Sequence, residues 1–308
     1  MLDLSPEDVG YCAAACEDFA LKVPLAFVRR MRVGDPRDPL LLQVMSRREE
    51  MAETPGFTRD PVGETGEANP FKGIIQKYHG RALLIVSGGC AINCRYCFRR
   101  HFPYTDNQNS RREWREALAY IARDTSTSEV ILSGGDPLLA SDAYLDELVT
   151  QIAAIPHVRR LRIHTRLPVV IPDRVTEQLL EAICRENLQT IVVIHCNHAN
   201  EIDAAVDAAL QRMTQRGITL LNQAVLLAGV NDSAAALSAL SERLFVAGVM
   251  PYYLHLLDKV QGAAHFDVPE RGALALLADI TAMLPGYLVP KLVREVAGAP
   301  SKLTVATP

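Results

Sequence analysis

The stretch Ala82-Leu-Leu-Ile-Val-Ser-Gly-Gly-Cys90-Ala-Ile-Asn-Cys94-Arg-Tyr-Cys97 joins an apolar run to three cysteines. The run at 82–86 predicts a buried strand. The cysteines that follow are spaced so that three thiolates can gather around one inorganic centre. Iron–sulfur clusters are held by cysteine thiolates, and electron-transfer clusters usually take four of them. A set of three therefore predicts a cluster with one iron left open for a substrate or cofactor.

A closed zinc site is the main alternative for the same cysteines. His101 follows Cys97 by four residues and would complete a Cys₃His set, which is typical of structural zinc. Neighbouring basic and aromatic residues would suit an RNA-binding zinc module; they are Arg95, Phe98, Arg99, Arg100 and Tyr104. A zinc finger is a small autonomous module, however, whereas this triad lies within a long α/β pattern. That context favours the open cluster.

Composition bounds the class of protein. At 308 residues, 49% hydrophobic and 22% charged, the chain can form one large α/β domain with appendages. The net charge of −4 gives no general attraction to nucleic acid. No apolar run approaches the roughly 20 residues that cross a membrane, and the N-terminus is acidic rather than signal-like, which predicts a cytoplasmic protein without a membrane partner. The odd count of seven cysteines favours metal use over disulfides.

From residue 82 onward, apolar runs alternate with amphipathic stretches. The predicted strands are 82–87, 129–133, 159–164, 189–195, 218–224 and 250–256, and the predicted helices are 112–123, 142–154, 174–185, 201–216, 233–246 and 269–283. Six βα units with short connections predict a parallel sheet covered by helices, in a partial or full barrel. We expect an N-terminal helical and loop extension at 1–81, a barrel core at 82–284 and an extended tail at 285–308.

Chemistry in such barrels lies at the carboxyl ends of the strands. Polar or ligand-binding residues stand at five of these ends, and we expect them on one rim: Cys90 after the first strand, Gly134-Gly135-Asp136 at the second, His195 at the fourth, Gln223 at the fifth and Asp258 after the sixth. The glycine pair lets a ligand approach the backbone closely, and the acid can meet an ammonium. Each of three positions has a purely structural alternative. Gly134-Gly135-Asp136 could form a plain turn, His195 could be a structural histidine, and Gln223 could be a core amide whose hydrogen bonds are satisfied within the protein.

Several collinear segments resemble the lysine 2,3-aminomutase family of radical S-adenosylmethionine (SAM) enzymes. The resemblance extends from about residue 75 to 302, and its segments are Lys77-Tyr-His-Gly-Arg81, the cysteine motif with Arg99-Arg100, Leu132-Ser-Gly-Gly-Asp-Pro-Leu138, Arg162-Ile-His-Thr-Arg-Leu-Pro168, 195–201, Asn222-Gln-Ala-Val-Leu-Leu227, Pro251-Tyr-Tyr-Leu254 and Gly286-Tyr-Leu-Val-Pro290. It implies a radical SAM partial (β/α)₆ barrel. It also implies an isomerase that moves the amino group of L-lysine from Cα to Cβ, with an external electron donor.

The same resemblance implies three cofactors: a [4Fe–4S] cluster, SAM and pyridoxal 5′-phosphate (PLP). Cys90, Cys94 and Cys97 match the cluster ligands. Lys302 matches the lysine that carries PLP, and Lys77 and Arg81 match cationic positions near PLP. The positions that match the SAM side of the family's site are Tyr96, which contacts adenine there, Gly134, Gly135, Asp136, His195 and Gln223.

Substrate contacts are implied in the same way. Arg99 matches the arginine that pairs with the lysine carboxylate. Asp258 matches one of two acids that hold the distant ammonium, and Glu295 takes the second position, where free-lysine mutases carry aspartate. The sequence stops six residues beyond Lys302, whereas free-lysine mutases continue with a further segment. This shorter form resembles the branch associated with bacterial elongation factor P, which implies (R)-β-lysine for attachment to that factor by its β-lysine ligase. The residues leave open whether lysine reacts as the free amino acid or while attached to a protein. The rival interpretation is an aminomutase that acts on another amino acid, such as glutamate.

We predict that replacing Cys90, Cys94 or Cys97 with alanine abolishes iron binding and SAM cleavage, because a three-thiolate set has no spare ligand. His101→Ala should retain the full iron content. Iron and sulfide analysis of the anaerobically purified variants measures both effects. If His101→Ala lost its metal as completely as the cysteine variants, the open-cluster interpretation would be wrong.

Overall fold

The computed structural model describes residues 1–64, 68, 72–104 and 111–306, without the side chains of residues 111–113. The predicted segments 1–81 and 285–308 each include residues outside these ranges. The described part contains a nine-stranded sheet in which each strand pairs with the next along the chain. The strands are β1 Ile74–Ile75, β2 Arg81–Ser87, β3 Glu129–Gly134, β4 Arg160–Thr165, β5 Gln189–Ile194, β6 Thr219–Val225, β7 Met250–His255, β8 Lys291–Arg294 and β9 Leu303–Thr304.

Strands β2 to β8 are parallel, and the short strands β1 and β9 pair antiparallel at the two edges. The sheet therefore has two ends and forms a partial barrel. The six predicted strands are confirmed as β2 to β7, with their bounds moved by one residue at most. The predicted α/β class, with a parallel sheet of βα units, is confirmed as well.

Three short helices precede β1 in the chain: α1 Ala13–Asp18, α2 Leu25–Val28 and α3 Pro39–Leu42. The helices that connect the parallel strands are α4 Arg111–Arg123, α5 Asp142–Ala153, α6 Leu167–Val170, α7 Glu177–Ile183, α8 Ala204–Gln215, α9 Ala234–Val246 and α10 Glu270–Met283. Two helices begin later than predicted because a side chain caps their first turn. The Thr176 side chain accepts from the Leu179 amide at the start of α7, and the Asp203 side chain accepts from the Val206 amide at the start of α8. None of the helices in the described residues has the length and apolar character needed to cross a bilayer.

The two faces of the sheet differ in polarity. In β4, Leu161 and Ile163 are fully buried in the main hydrophobic core. The alternate residues Arg162 and His164 line a cavity on the inner face. Side chains of a strand point to opposite faces in turn, so a strand of mixed sequence builds a core on one side and a polar wall on the other.

The segment 285–308, for which we expected an extended tail, contains two short strands that were not predicted. β8 extends the sheet by pairing parallel with β7, and β9 returns antiparallel, with Arg294 opposite Leu303. Strands of four and two residues are too short to show a period in sequence, and their partners supply the hydrogen bonds. The return of the chain at β9 brings Lys302 next to Glu295. The division of the chain into three segments stays a prediction.

Backbone contact between two loops holds the cysteine segment against the end of β3. The Gly135 amide donates to the Ser87 carbonyl (2.7 Å), and the Asp136 amide donates to the Gly89 carbonyl (2.8 Å). A Cβ at position 135 would lie 2.1 Å from the Gly89 oxygen. Gly134 has φ +119°, and a Cβ there would lie 2.5 Å from the Ser87 oxygen. The glycine pair is therefore required by this close approach.

We predict that Gly135→Ala displaces the cysteine loop, because the clash is with backbone and no side-chain rotation relieves it. The cost should be at least about 1–3 kcal/mol, as for other overpacked sites. Thermal unfolding and iron content measure the effect. Gly286→Ala is the matched control, since a Cβ there meets no atom of the described residues within 4 Å. Equal stability and iron content in the two variants would contradict this role for Gly135.

Candidate active site

A cavity of ≈ 340 Å³ lies on the inner face of the sheet and at the carboxyl ends of its strands. Every site residue predicted from the sequence lines it. These residues are Lys77, Arg81, Cys90, Cys94, Tyr96, Cys97, Arg99, Gly134, Gly135, Asp136, His195, Gln223, Asp258, Glu295 and Lys302. The structure thus brings together groups spread over 226 positions of the chain, from 77 to 302. Their roles toward bound ligands stay predictions.

The three cysteines stand on the loop that follows β2. All are partly buried, and the Cys97 amide donates to the Cys94 carbonyl (3.0 Å) in the tight turn between them. Burial, together with the neighbouring Cys94, raises the pKa of Cys97 to about 11, and burial also raises the pKa of Cys90. The two thiols are therefore protonated near neutral pH. Binding of iron has to displace these protons.

His101 does not join the cysteines. Its Nε2 donates to the Gln261 carbonyl (3.3 Å), and it is not one of the residues that line the cavity. Among the described residues, no three His, Cys, Asp or Glu side chains are arranged around a single ion. A cubane cluster does not need such an arrangement, because each thiolate binds a different iron. The geometry therefore fits a cluster better than a closed Cys₃His zinc site.

Tyr96 and His195 are held together at the cavity wall. The Tyr96 hydroxyl lies 2.8 Å from His195 Nε2 and accepts from Arg166 Nη1 (2.8 Å) and Asn197 Nδ2 (2.7 Å). Burial, aided by the positive charge of Arg166, lowers the pKa of His195 to about 3. His195 is consequently neutral. Both side chains are fixed before any ligand binds.

Asp136 is occupied by groups of the protein. Its carboxylate accepts from Thr165 Oγ1 (2.7 Å) and from the amides of Leu138 (3.1 Å), Arg166 (2.7 Å) and Leu167 (3.1 Å). Burial raises its pKa despite these donors. In this arrangement Asp136 ties the end of β3 to the end of β4. A direct contact between its carboxylate and SAM stays a prediction.

Arg99 is paired with an acid that the sequence analysis did not single out. Its Nε donates to Glu64 Oε2 (2.6 Å) and its Nη2 to Glu64 Oε1 (2.9 Å), the two-bond geometry in which arginine takes a carboxylate. Its Nη1 donates to Ser133 Oγ (3.1 Å) and the Gly134 carbonyl (3.2 Å). Burial opposes the charge of Glu64, but Arg99 outweighs it and lowers the Glu64 pKa. The sequence around Glu64 shows no hydrophobic periodicity and no recognisable motif, so nothing there predicted a role for this residue.

The other end of the charged lining contains two acids and two lysines. Glu295 accepts from Lys302 Nζ and from Lys77 Nζ, both at 2.6 Å. Burial opposes its ionisation, but the two lysines lower the pKa of Glu295 to about 2. Burial, with the negative charge of Glu295, raises the pKa of Asp258 to about 7. One acid is therefore a fixed anion, and the other changes charge near neutral pH.

Four buried polar atoms of cavity-lining residues have no hydrogen-bond partner within the described residues: His164 Nε2, Arg166 Nε, Gln223 Nε2 and His255 Nε2. Buried polar groups normally have partners, so these atoms indicate that a ligand supplies them. Burial lowers the pKa of both histidines well below the usual value. The alternation of polar and apolar residues in β4 was the available signal for His164. The donors and acceptors thus fit polar cofactors.

Comparison with known proteins identifies the family. Residues 84–237 match the Radical SAM superfamily. The chain is 55% identical over 284 residues to the L-lysine 2,3-aminomutase of Escherichia coli (strain K12), covering 92% of this chain and 82% of that protein. The chain belongs to the lysine 2,3-aminomutase family. It is also 48% identical over 305 residues to the L-lysine 2,3-aminomutase of Haemophilus influenzae, covering 99% of this chain and 90% of the relative. A solved radical SAM methyltransferase from Sphaerobacter thermophilus aligns with TM-score 0.49 and 20% identity, over 72% of this chain and 68% of that one.

Family membership makes this protein an isomerase of the radical SAM superfamily, with a [4Fe–4S] cluster, SAM and PLP as cofactors. The lining fits these groups. Three thiols without a fourth suit a cluster with an open iron. Lys302 would supply a primary amine for PLP, and Lys77 and Arg81 would supply cations near it. The alternative of a zinc-dependent RNA-binding module is wrong.

Asp258 should make the stability of the substrate-free protein depend on pH. Its folded pKa is about 7 against 3.8 ordinarily, so the folded protein holds a proton that the unfolded chain has lost between about pH 4 and 7. The free energy of unfolding consequently falls as the pH rises through this window. The penalty amounts to about 4 kcal/mol at pH 8 and about 2 kcal/mol at pH 5.

We therefore predict that Asp258→Asn stabilises the substrate-free protein more at pH 8 than at pH 5, because asparagine carries no charge. Thermal unfolding at the two pH values measures the difference. Asp279→Asn, at an exposed position of α10, is the control and should change the midpoint equally at both. A stability gain for Asp258→Asn that is independent of pH would contradict the prediction.

Proposed function

We propose that this enzyme converts L-α-lysine to β-lysine by moving the amino group from Cα to Cβ. One observation carries the proposal: groups of the chain itself occupy the two charged ends of the cavity lining as a lysine substrate would. The Glu64 carboxylate takes both N–H groups on one edge of Arg99, and the Lys302 ammonium lies on Glu295. The lining therefore offers a cation for a carboxylate and an acid for a primary ammonium.

The acidic end favours lysine over glutamate. Asp258 and Glu295 both line the cavity, and the charge of Glu295 is fixed by its low pKa. A second substrate carboxylate at this end would compete with Glu295 for Lys77 and Lys302, and it would lie close to the Glu295 charge. Like charges that meet in a desolvated site cost several kcal/mol. An ammonium would instead gain an ion pair and keep Asp258 ionised. The rival substrate class, represented by glutamate, is disfavoured on this ground.

The residues divide the work with the cofactors. The cluster with SAM supplies a hydrogen-abstracting radical when bound, and PLP supplies the conjugated system that carries the migrating nitrogen. Cys90, Cys94 and Cys97 would hold the cluster, and Lys302 would hold PLP. Arg99 and the two acids would fix the lysine chain at both ends, so that one carbon faces the radical. The cavity walls would exclude solvent from the reaction.

The proposal includes the product isomer and its use. We infer that the product is (R)-β-lysine, that it is formed in the cytoplasm with electrons from an external donor, and that it serves elongation factor P through a β-lysine ligase. Support comes from two departures from free-lysine mutases: Glu295 in place of aspartate, and Gly298-Ala-Pro-Ser301 in place of a glycine-rich run. Both lie next to Lys302 and the acidic end of the lining.

An anaerobic assay with L-lysine, SAM and a reductant, followed by chiral analysis, tests the reaction. We expect (R)-β-lysine from lysine and no β-amino acid from glutamate. Asp258→Asn should lower lysine turnover by one to several orders of magnitude, since loss of one partner of a desolvated pair costs about 2–5 kcal/mol. Asp279→Asn is the control. Preferred turnover of glutamate, or full activity of Asp258→Asn, would refute the lysine assignment.

The link to elongation factor P needs a separate measurement. The enzymatic product is supplied to the ligase and the unmodified factor, and intact-mass analysis detects one added β-lysine residue. We expect transfer of the enzymatic product in preference to the synthetic S isomer. If the ligase preferred the S isomer, the assignment of the isomer and its use would be wrong, and the aminomutase assignment would be unaffected.

A further inference from the structure

Glu64 is placed where the proposed substrate carboxylate has to bind. It is 4% exposed, and the Asp60 side chain holds its backbone amide (3.0 Å). Both of its carboxylate oxygens are on Arg99, and Oε1 also lies 3.2 Å from Lys77 Nζ. Nothing in the family resemblance given above involves this residue. It is the one acid on Arg99 among the described residues.

The hydrogen bonds of Arg99 leave no room for a second carboxylate. A guanidinium has five N–H donors, and four of them are used: two by Glu64, one by Ser133 and one by the Gly134 carbonyl. A carboxylate binds arginine best through two parallel bonds on one edge. The edge made by Nε and Nη2 is taken by Glu64. The other edge is made by Nη1 and Nη2. Its Nη1 already donates both of its hydrogens to the end of β3.

Exchange of one carboxylate for another preserves the charge of this buried site. Arg99 and Glu64 have side chains that are 9% and 5% exposed, so removing Glu64 without a replacement would leave a buried cation unpaired. A substrate carboxylate restores the same pair. The released Glu64 keeps Lys77 as a nearby cation, since one of its oxygens already lies within ion-pair distance of Lys77.

We propose that Glu64 is an internal competitor of the substrate carboxylate. It occupies Arg99 in the substrate-free enzyme, leaves when the amino acid binds, and thereby sets the affinity for the α-carboxylate. This inference rests on the proposed function, in which Arg99 receives that carboxylate. A diamine of the same length without a carboxylate, cadaverine, has no group to exchange for Glu64 and leaves it in place.

Equilibrium dialysis of the cluster- and PLP-loaded enzyme against labelled L-lysine and labelled cadaverine tests the inference. Glu64→Gln keeps the size of the side chain and removes its charge. We expect the Kd for lysine to fall about tenfold or more, as for loss of a charged competitor. The Kd for cadaverine should stay within about twofold. Asp207→Asn, which breaks the Arg243 pair between α8 and α9, is the control and should match the wild type for both ligands.

Steady-state kinetics separates competition from a merely structural role. Competition predicts a lower KM for lysine in Glu64→Gln with little change in kcat, because Glu64 is absent from Arg99 in the substrate complex. A structural role predicts a higher KM and a lower kcat. Glu64→Asp keeps the charge but shortens the side chain, and it should give an intermediate Kd. This second variant serves if Glu64→Gln fails to fold.

The outcomes distinguish the two proposals. A wild-type enzyme that forms β-lysine, with lysine binding unchanged or weakened in both Glu64 variants, overturns the competitor role alone. An enzyme that neither binds lysine nor forms β-lysine overturns the proposed function and the competitor role with it. Tighter binding of lysine and cadaverine to the same extent also overturns the competitor role, because the gain would not depend on the carboxylate.

Discussion

The buried guanidinium of Arg166 is the interaction on which the geometry of the site depends. Its Nη1 donates to Cys94 Sγ (2.7 Å) and the Tyr96 hydroxyl (2.8 Å), and its Nη2 donates to Gln43 Oε1 (2.7 Å) and Glu201 Oε2 (2.9 Å). One side chain thus joins the cysteine loop, the N-terminal extension and the loops after β4 and β5. A buried ion pair contributes little net stability but strongly penalises separation of its partners. It therefore fixes where these segments meet.

The N-terminal extension is part of the site rather than an appendage. Gln43 accepts from Arg166 and Asn197, and Glu50 pairs with Arg95 and Arg100 behind the cysteine loop. The fully buried side chain of Arg95 also donates to backbone carbonyls of the extension. Because the acids that pair with Arg95 and Arg100 in the described residues lie in the extension, the extension and the cysteine loop have to fold against one another.

Opposite charges are paired at two places along one cavity wall. Arg99 and Glu64 form one pair, and Glu295 with Lys77 and Lys302 forms another, while Lys77 lies within ion-pair distance of both acids. In a buried site such pairs hold side chains in defined positions before a ligand arrives. In the exchange proposed for Glu64, a ligand group of the same charge would replace the protein group. Preorganisation of this kind reduces the cost of orienting a substrate for a radical reaction.

From the sequence we could predict the parallel strands β2 to β7, the three-thiolate motif, membership of the lysine 2,3-aminomutase family and a set of site residues that all line one cavity. Local periodicity was enough for the strands, and the rule that parallel strands end at one rim placed five of the polar positions. The family resemblance implied the remaining site residues, such as Lys77, Glu295 and Lys302. Tertiary structure alone decided that β8 and β9 complete the sheet, that Lys302 meets Glu295, and that Glu64 binds Arg99. The residues in these contacts lie in loops or in strands too short to show a hydrophobic periodicity. Which residues they pair with is therefore settled only when the folded sheet brings distant segments into hydrogen-bonding distance.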